Sequence, residues 1–218
     1  GAFVLTQEQS RQLGKFILRA GGTMNPMIVG KTCAQIAEYA GLCGVPSSAR
    51  VLVGRETKVG ADAPYSREKL APILGLFVEE NTDRVLERSI EILHMEGAGH
   101  TFSMHAEDEA LVRKFALQIP ASRFLVNTPG ALGGIGATTG LFPALTLGCG
   151  AVGGSSSSNN IGPLDLINIK RVAFGTKELE EIRRESESTK DTSRISGGSQ
   201  VSQELINAIV DKIVKEFV

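Results

Sequence analysis

Three histidines and three cysteines are the first side chains of this 218-residue sequence to weigh for metal binding or nucleophilic attack, and their spacing supports neither. His94, His100 and His105 lack any metal-ligand spacing, and on a strand His100 and His105 point to opposite faces. His94 falls near the end of an expected helix, where the dipole tolerates it at the surface. His100 lies between Gly99 and a strand that ends beside a glycine-rich loop layer, so it could line a site; a satisfied structural histidine is the competing reading. Cys33 has apolar helix neighbours and Cys43 falls in a turn, which makes burial or idleness the expectation for both. Cys149, framed by Gly148 and Gly150, could expose its thiol, but no base or cation accompanies it in sequence and it is not assigned as a nucleophile.

Two glycine patterns invite a phosphate and neither fits one. Asn25-Pro26-Met27-Ile28-Val29-Gly30-Lys31-Thr32 ends like a P-loop, but Asn25 stands where the motif needs glycine and Pro26 removes a backbone donor. Gly134-Ile135-Gly136-Ala137-Thr138-Thr139-Gly140 follows a strand like a dinucleotide fingerprint, but Leu141-Phe142-Pro143 comes next, with no helix whose N-terminus could face a pyrophosphate.

The elements that must position these residues alternate. Thr6 and Gln9 are in capping-box register for a helix over Thr6 to Ala20, stopped by Gly21-Gly22. After the short apolar run Met27-Ile28-Val29, a helix over Thr32 to Ala40 leads to the strand Arg50 to Val53. Pro72 to Val78 is a continuous apolar run of strand length. Asn81-Thr82-Asp83 caps a helix through Met95, whose Val85, Leu86, Ile90 and Leu93 stripe should face a sheet. A strand at His100 to His105, a helix at Asp108 to Ile119 and a strand at Arg123 to Asn127 complete a series that requires parallel pairing through crossovers. The expected class is α/β with a parallel sheet.

From Thr128 onward the composition changes, with nine glycines between Gly130 and Gly154 and a small polar run over Ser155 to Asn160, so an irregular loop layer without regular helix or central strand is expected, and loops of that length are commonly functional. Leu166 to Phe174 alternates apolar and polar cleanly, as an edge or arm strand does. Residues 176–200 are a charged, flexible linker whose first half, to Glu187, can form a partly solvated helix. Ser202 can cap a short amphipathic helix to Val218, with Leu205, Ile206, Ile209, Val210, Ile213 and Phe217 on one arc. Such a helix is too short to be stable alone and needs a surface to dock on.

Composition narrows the partners. A net charge of −1 gives none of the global basic excess that nucleic-acid binding uses. No apolar run approaches the ~20 residues needed to span a bilayer, and three cysteines without CxxC spacing fit a reducing compartment, so a cytoplasmic protein is expected with neither nucleic acid nor membrane as partner and no metal.

Several segments carry a family resemblance. Glu68-Lys69-Leu70-Ala71-Pro72-Ile73 resembles the Glu-x-x-x-Pro signature of aldehyde dehydrogenases. Gly97-Ala98-Gly99-His100-Thr101, Ser122 to Pro129, Gly133-Gly134-Ile135-Gly136, Pro143 to Gly150 and Asn160-Ile161-Gly162-Pro163 together resemble the CoA-acylating branch of that family, in register over about Gly1 to Phe174. The resemblance implies an aldehyde dehydrogenase catalytic-domain portion over residues 1–175, with a parallel sheet, a glycine-rich loop layer and an oligomerisation strand that makes a homo-oligomer.

It further implies an NAD-dependent enzyme that converts a short-chain aldehyde to acyl-CoA, with coenzyme A as cosubstrate. Glu68 becomes the carboxylate that holds the nicotinamide ribose hydroxyls, a structural ion pair being the alternative, and the glycine loops around Gly134, Ile135, Leu145 and Thr146 shape the channel for aldehyde and pantetheine. The family's nucleophilic cysteine is expected upstream of this sequence, so the fragment alone should be inactive. A hydrolytic aldehyde dehydrogenase and a purely non-catalytic assembly or targeting piece are the alternatives. Ser202 to Val218 resembles the encapsulation peptides that direct some acylating aldehyde dehydrogenases to shell proteins inside bacterial microcompartments, with docking on its own domain as the competing reading.

Overall fold

The computed structural model describes residues 1–192, so the amphipathic helix expected over Ser202 to Val218 lies outside the described residues. The chain divides into two units, Gly1–Ile167 and Asn168–Val218. In the first, a parallel three-stranded sheet has the order β1 (Ala2–Val4), β2 (Val51–Arg55), β3 (Ile73–Leu76), and a parallel pair is formed by β4 (Gly99–Met104) and β5 (Ala121–Val126). Helices α1 (Gln7–Ile17) and α2 (Cys33–Tyr39) cross from β1 to β2, α3 (Thr82–Met95) leads from β3 to β4, and α4 (Glu109–Ala116) from β4 to β5. The α/β class with parallel pairing follows from the alternation, as expected.

Local chemistry accounts for the boundaries. Thr6 and Gln9 form the anticipated reciprocal capping box, Thr32 and Gln35 form a second, and the Asn81 side chain accepts from the Arg84 N–H at the start of α3. The Met27 apolar run folds as a 3₁₀ turn, Pro26–Ile28, because Pro26 supplies a preset φ and the Asn25 side chain caps Met27. Leu13, Ile17, Ile28, Ile36, Leu52 and Ile73 are fully buried and join α1 and α2 to the first sheet. A smaller cluster of Leu86, Phe115 and Ile119 packs with Phe102 and Phe124 from the second, whose rings stack 5.3 Å apart. Of the expected α3 stripe, Leu86 is buried and Ile90 and Leu93 pack partly buried against its cluster, while Val85 is exposed.

The glycine-rich layer corrects one expectation. Gly130–Gly134 is a short helix, α5, despite three glycines in five residues. Tertiary packing overrides propensity here. A Cβ at Gly130 would lie 2.8 Å from Ser103 Oγ and one at Gly133 would lie 2.6 Å from Thr128 Cγ2, so only bare backbone can lie this close to β4 and β5. The remainder is irregular apart from 3₁₀ turns at Ala151–Gly153 and Pro163–Leu166, and is closed by an antiparallel bridge between Leu147 and Asn160.

In the second unit, residues 168–174 form no strand within the described residues, so the alternating strand expected from sequence is not formed within the single chain. The solvated helix is α6 (Leu179–Thr192), which runs past the expected end at Glu187.

Candidate active site

Two glycines that face each other create the seat of the site. Gly54 on β2 pairs in register with Gly75 on β3. The 3₁₀ turn Pro64–Ser66 presses onto both: a Cβ at Gly54 would lie 2.2 Å from the Tyr65 ring, and one at Gly75 would lie 2.3 Å from the Tyr65 carbonyl oxygen. The buried Tyr65 hydroxyl donates to the Ser10 carbonyl at 2.8 Å, tying the turn to α1, and burial pushes the phenol well above its usual range, so it acts as a neutral donor.

The chain leaves this turn as Arg67-Glu68-Lys69-Leu70. Arg67 Nη1 donates to the Gly22 and Ala61 carbonyls at 3.0 and 3.1 Å, and Nε pairs with Glu96 Oε1 at 2.5 Å. The second Glu96 oxygen accepts the Glu68 backbone N–H at 2.5 Å. Lys69 is buried, its Nζ donating to the Tyr65 and Arg67 carbonyls at 2.9 and 2.6 Å. Burial pushes the Lys69 ammonium down to about 8, against the opposing pull of Glu96 and Glu56. The Glu68 side chain is exposed, and its carboxylate has no hydrogen-bond or ion-pair partner among the described residues. The ion pair considered for Glu68 belongs instead to Glu96.

Glu68 and His100 line one cavity of about 650 Å³, with Lys69, Phe77, Thr101 and Cys149 among its other walls. Gly99 lets the Cys149 loop close on β4: its φ is +80°, and a Cβ there would lie 2.0 Å from the Cys149 carbonyl oxygen. His100 Nδ1 lies 2.9 Å from Thr101 Oγ1, and the half-buried Cys149 is held through its N–H by Ser155 Oγ at 3.1 Å. Beneath them the buried Arg123 guanidinium reaches Thr101 Oγ1 and the carbonyls of His100, Gly148 and Ser158 at 2.7 to 3.2 Å. Four acceptors satisfy it without a carboxylate, so β5 is stapled to β4 and to the glycine layer. Cys33 is buried, its thiol pushed up by desolvation, and Cys43 is exposed in a turn.

The anticipated channel residues gather elsewhere. Ile135 and Leu145 line a second cavity of about 450 Å³ with Gly136, Ala137, Pro143 and Ala144. Gly134 and Thr146 do not line it. Their carbonyls accept from Asn160 Nδ2 and from the Ile161 N–H, each at 2.9 Å, so both hold the loop by backbone. Residue-type reasoning missed Glu96, Lys69 and Arg123. Glu96 is 28 residues from Glu68, and no short motif signals such a contact.

No protein-family model matches the chain. Aldehyde-alcohol dehydrogenase 2 of Entamoeba histolytica is 34% identical over 192 residues, covering 84% of this chain and 22% of that protein. A probable aldehyde dehydrogenase of Listeria monocytogenes superimposes with a TM-score of 0.78 at 63% identity, covering 84% of this chain and 40% of that one. An acetylating aldehyde dehydrogenase of Geobacillus thermoglucosidasius follows at TM-score 0.76 and 42% identity, with 82% and 39% covered. This chain matches a partial-length region of the acylating aldehyde dehydrogenases. It spans about a fifth of the two-function relative and two fifths of the solved acylating aldehyde dehydrogenase. Two further structures that share the fold of this acylating aldehyde dehydrogenase region were solved with ligands. A propionaldehyde dehydrogenase of Rhodopseudomonas palustris holds propionyl-CoA (25% identity, TM-score 0.61, 72% and 34% covered), and an engineered glycolyl-CoA reductase holds NADP+ (26%, 0.61, 72% and 34%).

Proposed function

We propose that the protein to which this region belongs oxidises a short-chain aldehyde to its acyl-CoA thioester, with NAD as hydride acceptor and coenzyme A as cosubstrate. The observation that carries the reading is the Glu68 carboxylate, unpartnered among the described residues, at a cavity shared with His100 in a region matched by acylating enzymes. An ionised carboxylate with free lone pairs suits the vicinal hydroxyls of a nicotinamide ribose, because both can donate to it. When bound, NAD supplies the two-electron acceptor for the aldehyde carbon.

The residues of this chain hold and exclude. Glu68 orients the ribose, His100 lines the cavity beside it, and Ile135 and Leu145 offer apolar walls to the aldehyde and pantetheine, with the backbones of Gly134 and Thr146 fixing that loop. The attacking thiol comes from outside residues 1–218: Cys33 is buried with its thiolate disfavoured, Cys43 lines neither cavity, and Cys149 serves as a wall. The enzyme works as a homo-oligomer joined through Leu166 to Phe174, whose alternation suits edge pairing. The apolar arc of Ser202 to Val218 docks on a shell protein and places the enzyme in a cytoplasmic bacterial microcompartment.

The test is a spectrophotometric assay of the intact enzyme with NAD, CoA and propionaldehyde. NADH and propionyl-CoA should form in equal amounts, and residues 1–218 alone should form neither. Activity of residues 1–218 alone would put the nucleophile among these three cysteines.

A further inference from the structure

A carboxylate that grips a ribose must itself be held still, and Glu68 lies on an exposed loop between a 3₁₀ turn and β3. The hold on its backbone comes from both sides. Ahead of it, Lys69 Nζ bonds the carbonyls of Tyr65 and Arg67, fixing the peptide that enters Glu68. From α3's end, Glu96 divides its two oxygens between Arg67 Nε and the Glu68 N–H. Arg67 is in turn locked to the Gly22 and Ala61 carbonyls, so the Glu96 carboxylate is anchored to a group that cannot move freely. Two residues on, Leu70 is in the left-handed region at φ 39°, which a branched aliphatic side chain adopts only where surroundings impose it. All of this restrains the main chain, while the Glu68 carboxylate itself has no partner among the described residues. Restraint of the backbone with a free functional end is what preorganised binding requires.

We infer that Glu96 is a positioning residue for the cofactor site: by accepting the Glu68 N–H and the Arg67 guanidinium together, it fixes the Glu68 carboxylate where a ribose diol meets it. Lys69 supports the same loop from beneath. The inference rests on Glu68 as the ribose acceptor. A purely structural ion pair between Glu96 and Arg67 would stabilise the fold and leave cofactor affinity no more affected than any other property.

The experiment measures KM for NAD, CoA and aldehyde, kcat, and Tm in the intact enzyme and in Glu68→Gln, Glu96→Ala and the double variant. Glu96→Ala should raise KM for NAD by roughly tenfold or more, the loss of a charged acceptor's hold, with KM for CoA and aldehyde within about twofold. In the Glu68→Gln background the same change should add little, because the group being positioned is already disabled. Equal loss from Glu96→Ala in both backgrounds, or a fall in Tm with KM for NAD unchanged, would overturn the positioning role. An unchanged KM for NAD in Glu68→Gln would instead remove Glu68 from the site, and Glu96 with it. Should Glu96→Ala fail to fold, Glu96→Gln keeps the volume and one acceptor: a raised KM for NAD alone supports the inference, and no change in it counts against.

Discussion

Glu68, Glu96 and Lys69 show how three charged neighbours take different roles from their surroundings alone. Glu68→Gln keeps the shape of the side chain and removes the ionised acceptor, so productive NAD binding should weaken by about 1.5–3 kcal/mol, read as KM for NAD. Cys149→Ala should leave CoA-dependent NADH formation within a few-fold of the parent enzyme, and abolished activity would make Cys149 the nucleophile. Lys69 has a signature in stability. Its ammonium is pushed down to about 8 in the fold from 10.5. Between those values the unfolded chain holds a proton that the folded chain has released, so this group makes stability rise with pH from about 8 to about 10.5. Urea unfolding at pH 7.5 and 9.5 should show that gain in the parent protein and not in Lys69→Met. None of these roles was legible from residue type; the family resemblance marked Glu68, and its supports lie on a different element.

The elements were more legible than the site, because caps and apolar runs are local. The capping box at Thr6 and Gln9 and the cap at Asn81 are written within three residues of the helix they start. Gly130–Gly134 was hidden for the opposite reason: its helix exists by contact with Ser103 and Thr128, which propensity does not see. The pairing of Gly54 with Gly75 was equally invisible, since each is an ordinary strand glycine until Tyr65 is laid across both. Gly54→Ala should therefore displace Tyr65 and cost about 1–3 kcal/mol by overpacking, measured by urea unfolding, and should raise KM for NAD through the Glu68 loop. Arg123→Met should cost about 3 kcal/mol or more, because three carbonyls lose a buried donor and β4 comes loose from the glycine layer. A loss below about 0.5 kcal/mol would contradict the stapling role.

At the scale of the whole molecule, the first 167 residues carry the cavities, and the alternating segment after them is read as the means of assembly. Val172→Pro removes a ladder donor, so the intact enzyme should fall to smaller species in light scattering; an unchanged mass would refute pairing through this segment. On the proposed function, the parent enzyme hands an acyl group to CoA after oxidation by NAD. One measurement tests it most directly: product analysis of the intact enzyme given NAD and propionaldehyde, with and without CoA. Propionyl-CoA and NADH should form in equal amounts with CoA present, with negligible NADH turnover in its absence. Sustained NADH formation without CoA, with free propionate as the product, would contradict it.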